Sequence, residues 1–186
     1  MELTKRASVV VYGVLTIAAG VLGATGARPD SSAAEVAAYN AAHQGLVQLL
    51  ALVVFATGLT LAVWTSVARP EPLGLAGGLL ASASLVVSGL TMWTAAQASA
   101  PEVVRALTSL SFAAGAFGFA VPLALLIAAV ARTTPRWLAI TGYVIAALAA
   151  LSAFGMLTSV LYPLIPVGRF GGLIWLVLVS FRKAND

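Results

Sequence analysis

Residues 49–64 read LLALVVFATGLTLAVW, a run of sixteen positions without a charged side chain. A helix that crosses the hydrocarbon core of a bilayer needs about 20 mostly apolar residues. The run reaches that length when it is extended back to residue 41, because residues 41–48 carry no Asp, Glu, Lys or Arg. This stretch therefore predicts a transmembrane helix over residues 41–64.

Five further stretches of the chain have the same apolar character. The six predicted spans are residues 7–26, 41–64, 74–98, 106–131, 137–161 and 167–181, of which the last is the shortest. The segments between them are short and contain proline, as in ARPDSS at 27–32 and RTTPR at 132–136. Short connections place consecutive helices antiparallel and in contact. The sequence thus predicts an all-α fold, a polytopic six-transmembrane-helix bundle with short loops that forms one domain over residues 1–186.

The composition agrees with a membrane protein. Hydrophobic residues make up 61% of the chain and charged residues 9%, whereas about a quarter of the residues of a typical soluble domain are charged. The net charge of +4 does not indicate nucleic-acid binding, because no basic patch is interleaved with aromatic side chains. The lipid bilayer is the partner that this composition predicts.

Cysteine and histidine usage excludes several kinds of site. The sequence has no cysteine and one histidine, His43. Disulfides, thiolate chemistry and cysteine-ligated zinc or iron–sulfur sites are therefore excluded within this sequence. One histidine also excludes a metal site built from several histidines of one chain. We expect neither a metal nor a cofactor.

Basic residues predict the orientation of the bundle. With the N-terminus in the cytoplasm, seven basic residues fall on that side and only Arg28, Arg105 and Arg169 on the other. This distribution follows the positive-inside rule and puts both termini in the cytoplasm. The predicted location is a bacterial inner membrane. The alternative, a cleaved signal peptide over residues 1–27, is less favoured because its apolar run exceeds an ordinary signal core.

Small residues at helical spacing predict where the helices pack. Gly74, Gly78 and Ser82 are spaced i, i+4, i+8, and Gly168 and Gly172 form a GxxxG pair. Such residues let helix backbones approach closely in a membrane. Pro122, in the middle of the fourth span, predicts a kink because proline lacks the backbone donor and clashes with the preceding turn.

The densest polar stretch is EVAAYNAAHQGLVQ at residues 35–48, directly before the run 49–64. If a helix already begins near residue 32, Glu35, Tyr39 and His43 align on one face at i, i+4, i+8. Asn40, Gln44 and Gln48 then form a second row beside them, and the opposite arc of alanine and leucine faces lipid. Polar side chains at that depth usually face protein or water.

Other polar residues arrive at the same end of the bundle from the third span, the following loop and the last two spans. If these ends converge, they form one pocket that opens away from the cytoplasm. Its predicted ligand-binding residues are Glu35, Tyr39, His43, Gln44, Gln48, Trp93, Gln97, Arg105, Tyr162 and Arg169.

Several of these residues, and other aromatic residues near the span ends, also have a purely structural interpretation. Trp93, Trp137, Tyr162 and Trp175 fit the aromatic belt of a membrane interface, and Arg105 and Arg169 could reach the lipid headgroups. Glu35 could stabilise the start of a helix through its dipole. Gln48 most needs a partner, because it lies about two turns into the helix.

Three classes of function remain open. The leading one is recognition of a small or amphipathic ligand, with uptake through a partner membrane subunit. In helix number and size, though in no motif, the chain resembles the substrate-capture subunits of energy-coupling-factor vitamin importers, and small residues at Gly20–Gly23 would suit docking to such a partner. The second is a membrane enzyme that uses Glu35, His43 and Tyr39 for acid–base chemistry on a lipidic substrate. The third is a structural or accessory subunit of a membrane complex, without a site of its own. A homo-oligomer is a separate possibility for the partner, because some small-residue faces could be oligomer contacts.

Overall fold

The structure, a computed structural model, describes residues 2–24, 26 and 31–182, and every regular element within those ranges is helical. Six helical segments are long and apolar enough to cross a membrane, which confirms the predicted number of spans. They are Glu2–Gly23, Gln44–Ala68, Pro72–Ala95, Pro101–Ala131, Arg136–Met156 and Ser159–Phe181.

Eight α-helices make up these segments and one short addition. They are α1 (Glu2–Gly23), α2 (Ala33–Ala42), α3 (Gln44–Ala68), α4 (Pro72–Ala95), α5 (Pro101–Phe112), α6 (Phe119–Ala131), α7 (Arg136–Ser152) and α8 (Leu164–Phe181). A π-helical segment, Ala113–Gly118, joins α5 to α6. The 3₁₀ turns Ala153–Met156 and Ser159–Leu161 lie between α7 and α8.

The largest departure from the predicted elements is the break at His43. The polar stretch does not continue the second span as one helix, because His43 has φ −125° and ψ 31° and separates α2 from α3. The ten-residue α2 is too short to cross a bilayer. The single-helix stripe from Glu35 to Gln48 is therefore wrong, since the helical register restarts at Gln44.

The spans form a closed ring. Each spanning helix packs against the next one in the chain, in the order α1, α3, α4, α6, α7 and α8, and α8 packs against α1. Helices α6 and α8 also contact each other directly, while α2 packs on α5 at one end. We call this the α2 end. Charged residues of the other end, which we call the basic end, include the ion pair of Arg132 Nη1 with Glu71 Oε2 at 3.2 Å.

The basic half of the ring is filled by large side chains. Trp64 and Trp175 are both fully buried, so Trp175 belongs to the interior and not to an aromatic belt. Trp64 Nε1 donates to Ser180 Oγ at 2.9 Å, and Trp175 Nε1 donates to the Leu138 carbonyl at 2.9 Å. These contacts tie α8 to α3 and to α7.

Predicted small residues do form close helix contacts. A Cβ atom added at Gly74 would lie 2.7 Å from Ala129 Cβ, and one added at Gly168 would lie 2.8 Å from Ala149 Cα. Ser82 is buried, donates to the Gly78 carbonyl at 2.8 Å, and lies on the side of α4 that faces Gly58 of α3. Helix α4 therefore approaches α6, and α8 approaches α7, at distances that larger side chains would prevent.

Pro122 is accommodated by two local changes. Its missing N–H leaves the carbonyl of Gly118 without its usual helical donor, and Ser84 Oγ donates to that carbonyl at 3.0 Å. The π-helical segment lies directly before this point. Wide turns of this kind are frequent at functional sites, and this one lines the cavity described next.

Candidate ligand-binding cavity

A cavity of about 690 Å³ lies inside the ring at the α2 end. Residues of α1, α2, α3, α4, α5, the π-helical segment and α8 form its wall. Most of the lining side chains are apolar, and the polar ones are Ser31, Tyr39, Asn40, Ser88, Arg105, Thr108, Ser109, Ser111, Tyr162 and Arg169. The cavity thus combines an apolar wall with a small number of polar groups.

The sequence explains why the space lies in this half of the ring. Where the cavity lies, α1 contributes Ala19, Gly20 and Gly23, and the π-helical segment contributes Gly115 and Ala116. These side chains are too small to reach across the ring, whereas the basic half contains indole rings and leucines. Close packing therefore fails on one side only, and an open volume results.

Arg169 is the most unusual group in the wall. It lies near the middle of the helical segment Ser159–Phe181, and its Nε and Nη2 atoms are buried without a hydrogen-bond partner. The residue is only half-buried overall because part of its surface lines the cavity. Its guanidinium carbon lies 5.5 Å from the centroid of the Phe119 ring. A charged side chain at such depth is rare and is commonly functional.

Other unpaired polar groups lie on the helices beside Arg169. Tyr12 and Thr16, one turn apart on α1, are buried and their hydroxyl groups have no hydrogen-bond partner. Tyr12 is close enough to Arg169 for an electrostatic interaction. The Nδ2 atom of Asn40, on α2, is also buried and unpaired, and Asn40 lines the cavity. Of these unpaired groups, only those of Asn40 and Arg169 belong to residues that line the cavity.

Arg105 positions the segment that leads into α2. It lies in the second turn of α5, it is half-buried, and its Nη1 donates to the Ser31 carbonyl. This bond joins α5 to the residue before the N-cap Ser32, so α2 is held over the cavity. Val36, Tyr39 and Asn40 of α2 then face it.

Four of the ten predicted site residues line this cavity: Tyr39, Arg105, Tyr162 and Arg169. Tyr162 belongs to an aromatic group on the same wall, with its ring centroid 5.8 Å from that of Phe112 and 6.1 Å from that of Phe117. The structure brings these four residues together from α2, α5, the turn before α8 and α8 itself.

Glu35 and His43 do not line the cavity. Glu35 is exposed and closes a capping box at the start of α2, where its Oε2 accepts from the Ser32 backbone N–H at 2.8 Å and from the Ser32 hydroxyl at 3.0 Å. These bonds lower the pKa of the Glu35 carboxyl, the backbone bond contributing most. His43 is exposed and stacks on Tyr39, with 4.5 Å between ring centroids. The predicted acid–base set therefore shares no cavity-facing site.

The remaining four predicted residues also lie outside the cavity wall. Gln44 spans the gap between two helices, since its Nε2 donates to the Ala96 carbonyl at 3.0 Å. Gln48 is half-buried and its side chain has no hydrogen bond to any described residue. Trp93 and Gln97 are exposed. The break at His43 explains the first two positions, because it rotates Gln44 and Gln48 away from the face of Tyr39 and Asn40.

Sequence reasoning missed Tyr12, Thr16 and Phe119 and placed Asn40 only in the stripe. Tyr12 and Thr16 could have been found as a polar pair at i, i+4 in the middle of a span. Phe119 carried no such signal, because its role depends on how α6 meets α8.

Comparisons of the chain with protein-family models, curated proteins and solved structures give no match. The function must therefore be inferred from the cavity.

Proposed function

We propose that this protein binds an amphipathic ligand in the cavity at the α2 end. The observation that carries this proposal is the cavity of about 690 Å³ inside a ring of apolar helices. Ligand sites have volumes of about 300–1,000 Å³ and combine apolar walls with a few polar groups. An amphipathic molecule suits this wall because it offers an apolar part and a polar part together.

We propose further that the cavity opens away from the cytoplasm of a bacterial cell. Six described basic residues belong to the basic end: Lys5, Arg6, Arg69, Arg132, Arg136 and Arg182. Among the described residues, Arg105 is the basic residue near the α2 end, and Arg169 lies near the middle of its span. Cytoplasmic ends of membrane proteins are enriched in Lys and Arg. This asymmetry supports a bacterial inner-membrane location with the basic end inside.

Binding is a better-supported role than catalysis. Of the three proposed acid–base residues only Tyr39 lines the cavity, and Glu35 is committed to the cap of α2. Uptake through a partner subunit stays a prediction. Gly20 gives it no support, because a Cβ atom there would lie 2.9 Å from Phe170 inside the ring.

A cavity-filling substitution tests the proposed binding. Ala113 lines the cavity from the π-helical segment, and Ala113→Phe would place a ring in that space. The ring and the ligand would then compete for the same space, and fitting both would cost about 1–3 kcal/mol, as in an overpacked core. We therefore expect the affinity for a single-chain amphiphile to fall about 5- to 150-fold. Native mass spectrometry of the detergent-solubilised full chain would measure binding, with palmitate and the uncharged hexadecanol as probes.

Ala106→Phe is the matched control. Ala106 lies on α5, is exposed, and is outside the cavity wall. The control should bind both probes as the unsubstituted protein does, and melting temperatures of both variants would separate lost binding from lost folding. If the unsubstituted protein binds neither probe, or if Ala113→Phe binds them equally well while folded, the cavity is not the site.

A further inference from the structure

We infer that the polar group of this ligand is an oxyanion, a carboxylate or phosphate on an apolar chain, and that Arg169 binds it. The inference rests on the proposed function, since it concerns the same cavity, and it specifies the charge of the molecule that the cavity takes.

The charge of Arg169 is poorly compensated by the residues around it. Moving a guanidinium out of water costs several kcal/mol, and Arg169 gains no hydrogen bond or ion pair from any described residue. The contact with the Phe119 ring at 5.5 Å returns about 2 kcal/mol when desolvated, which offsets only part of that cost. A separate space of about 10 Å³ beside Arg169 holds at most about one water molecule, so the cavity of about 690 Å³, which Arg169 also lines, is the space in which a larger counter-charge can reach it. A positive charge in this state lacks its counter-charge.

The described lining of the cavity has an excess of positive charge. Its described lining contains two arginines and no aspartate or glutamate. The described acids lie elsewhere: Glu2 pairs with Arg6, Glu71 with Arg132, and Glu35 with Ser32, while Glu102 is exposed in the first turn of α5. Within the described part of the chain, no acid is therefore positioned to neutralise Arg169.

The unpaired polar groups of the cavity-lining residues Arg169 and Asn40 are hydrogen-bond donors. Arg169 offers N–H groups in a planar fork that matches the two oxygens of a carboxylate or phosphate. The unpaired Nδ2 of Asn40 is likewise a donor. A ligand that accepts several hydrogen bonds and carries negative charge fits this set, whereas a cation does not.

The apolar part of the cavity wall indicates that the ligand carries a hydrocarbon chain. Leu50 and Val54 of α3, Met92 of α4 and Phe170 of α8 line it. Burial of a hydrocarbon chain there adds about 0.8 kcal/mol for each methylene group. An oxyanion without such a chain would leave this surface uncovered.

The test measures binding of palmitate, phosphatidylglycerol and uncharged hexadecanol to the delipidated full chain in a nonionic detergent, by native mass spectrometry. The variants are Arg169→Gln and the matched control Arg136→Gln, which removes one exposed charge at the basic end. We expect Arg169→Gln to bind the charged probes about 10- to 100-fold more weakly, as for a lost hydrogen-bonded charge. Arg136→Gln should bind them unchanged.

Each outcome has one interpretation. Preference for palmitate identifies a free carboxylate as the ligand type, and preference for phosphatidylglycerol identifies a lipid headgroup; both support the oxyanion. Equal binding of hexadecanol and the charged probes overturns the oxyanion but leaves the proposed function intact. Undiminished binding of the charged probes by Arg169→Gln overturns the role of Arg169. Binding of no probe by the unsubstituted protein overturns the proposed function and this inference with it.

A stability measurement separates a ligand-binding arginine from a structural one. Arg169→Met removes the unpaired charge and retains a long side chain, so the melting temperature of the ligand-free protein should stay level or rise. With palmitate or phosphatidylglycerol present, the unsubstituted protein should be the more stable one, because only it gains from binding. A lower melting temperature of Arg169→Met without any probe would mean that Arg169 stabilises the fold, and would overturn the inference.

Discussion

At the scale of single residues, buried polar groups of this protein fall into paired and unpaired sets. In the basic half, Trp64 and Trp175 each donate to a partner at 2.9 Å. At the cavity, Arg169 and Asn40 keep buried atoms without partners. Away from the cavity wall, further hydroxyl groups are buried without a partner, those of Tyr12, Thr16 and Thr65. Buried polar groups are normally satisfied, so the unpaired atoms of Arg169 and Asn40, the two such residues that line the cavity, are the ones that a ligand could satisfy.

The pair of Trp64 and Ser180 gives a residue-scale prediction for the stability of the basic half. Ser180→Ala leaves the Trp64 indole N–H unpaired in a dry interior, so the free energy of unfolding should fall by about 1 kcal/mol. Reversible unfolding in mixed detergent micelles would measure the change. A double-mutant cycle with Trp64→Phe isolates the bond, and an additive cycle would show that the two side chains are not coupled.

At the scale of elements, glycines decide how closely α3 and α4 approach. A Cβ atom at Gly58 would lie 2.8 Å from the Ser82 carbonyl oxygen, and one at Gly89 would lie 2.8 Å from the Ala51 carbonyl oxygen. At Gly78 an added Cβ would clash with the side chain of Thr65. This interface joins backbone to backbone over most of its length, which makes it a rigid wall beside the cavity.

Two glycine substitutions test how closely α3 and α4 pack. Gly78→Ala should lower the free energy of unfolding by about 1–3 kcal/mol, because the added methyl group would need space that the fully buried Thr65 side chain occupies. Gly45→Ala is the matched control, since nothing lies within 4 Å of its added Cβ. It should raise stability by about 0.5–1 kcal/mol through helix propensity. Equal effects of the two substitutions in a mixed-micelle unfolding assay would contradict the close packing.

The elements differ in how far they could be predicted. The six spans follow from apolar runs, because length and hydropathy suffice to identify a helix that crosses a bilayer. The break at His43 was not predictable, since periodicity assumes a continuous helix and no glycine or proline lies at that residue. Topology alone placed Arg105, Tyr162 and Arg169 in one group, and all three line the same cavity, although Arg169 lies near the middle of its span. The positions of Tyr12 and Asn40 relative to Arg169 depend on contacts between helices that are distant in sequence. Residue spacing along one helix does not predict such contacts.

At the scale of the whole molecule, the cavity is a consequence of how side-chain volume is distributed along a closed ring. The same six spans meet at both ends, but indoles and leucines fill the basic half, whereas in the other half the cavity wall includes small residues such as Ala19, Gly20, Gly23 and Gly115. Helix α2 lies over the open half and is tied to α5 through Arg105 and Ser31. The positive-inside rule then predicts that this open half faces away from the cytoplasm.

The absence of cysteine from the sequence makes that orientation directly testable. Ser99→Cys places a thiol between α4 and α5 at the α2 end, and Thr133→Cys places one between α6 and α7 at the basic end; both positions are exposed. A membrane-impermeant maleimide applied to intact cells should label Ser99→Cys fully and leave Thr133→Cys unlabelled until the membrane is permeabilised. The two positions control for each other, because both are threonine or serine residues in short loops. Labelling of Thr133→Cys alone would show that the bundle has the opposite orientation, with the cavity on the cytoplasmic side.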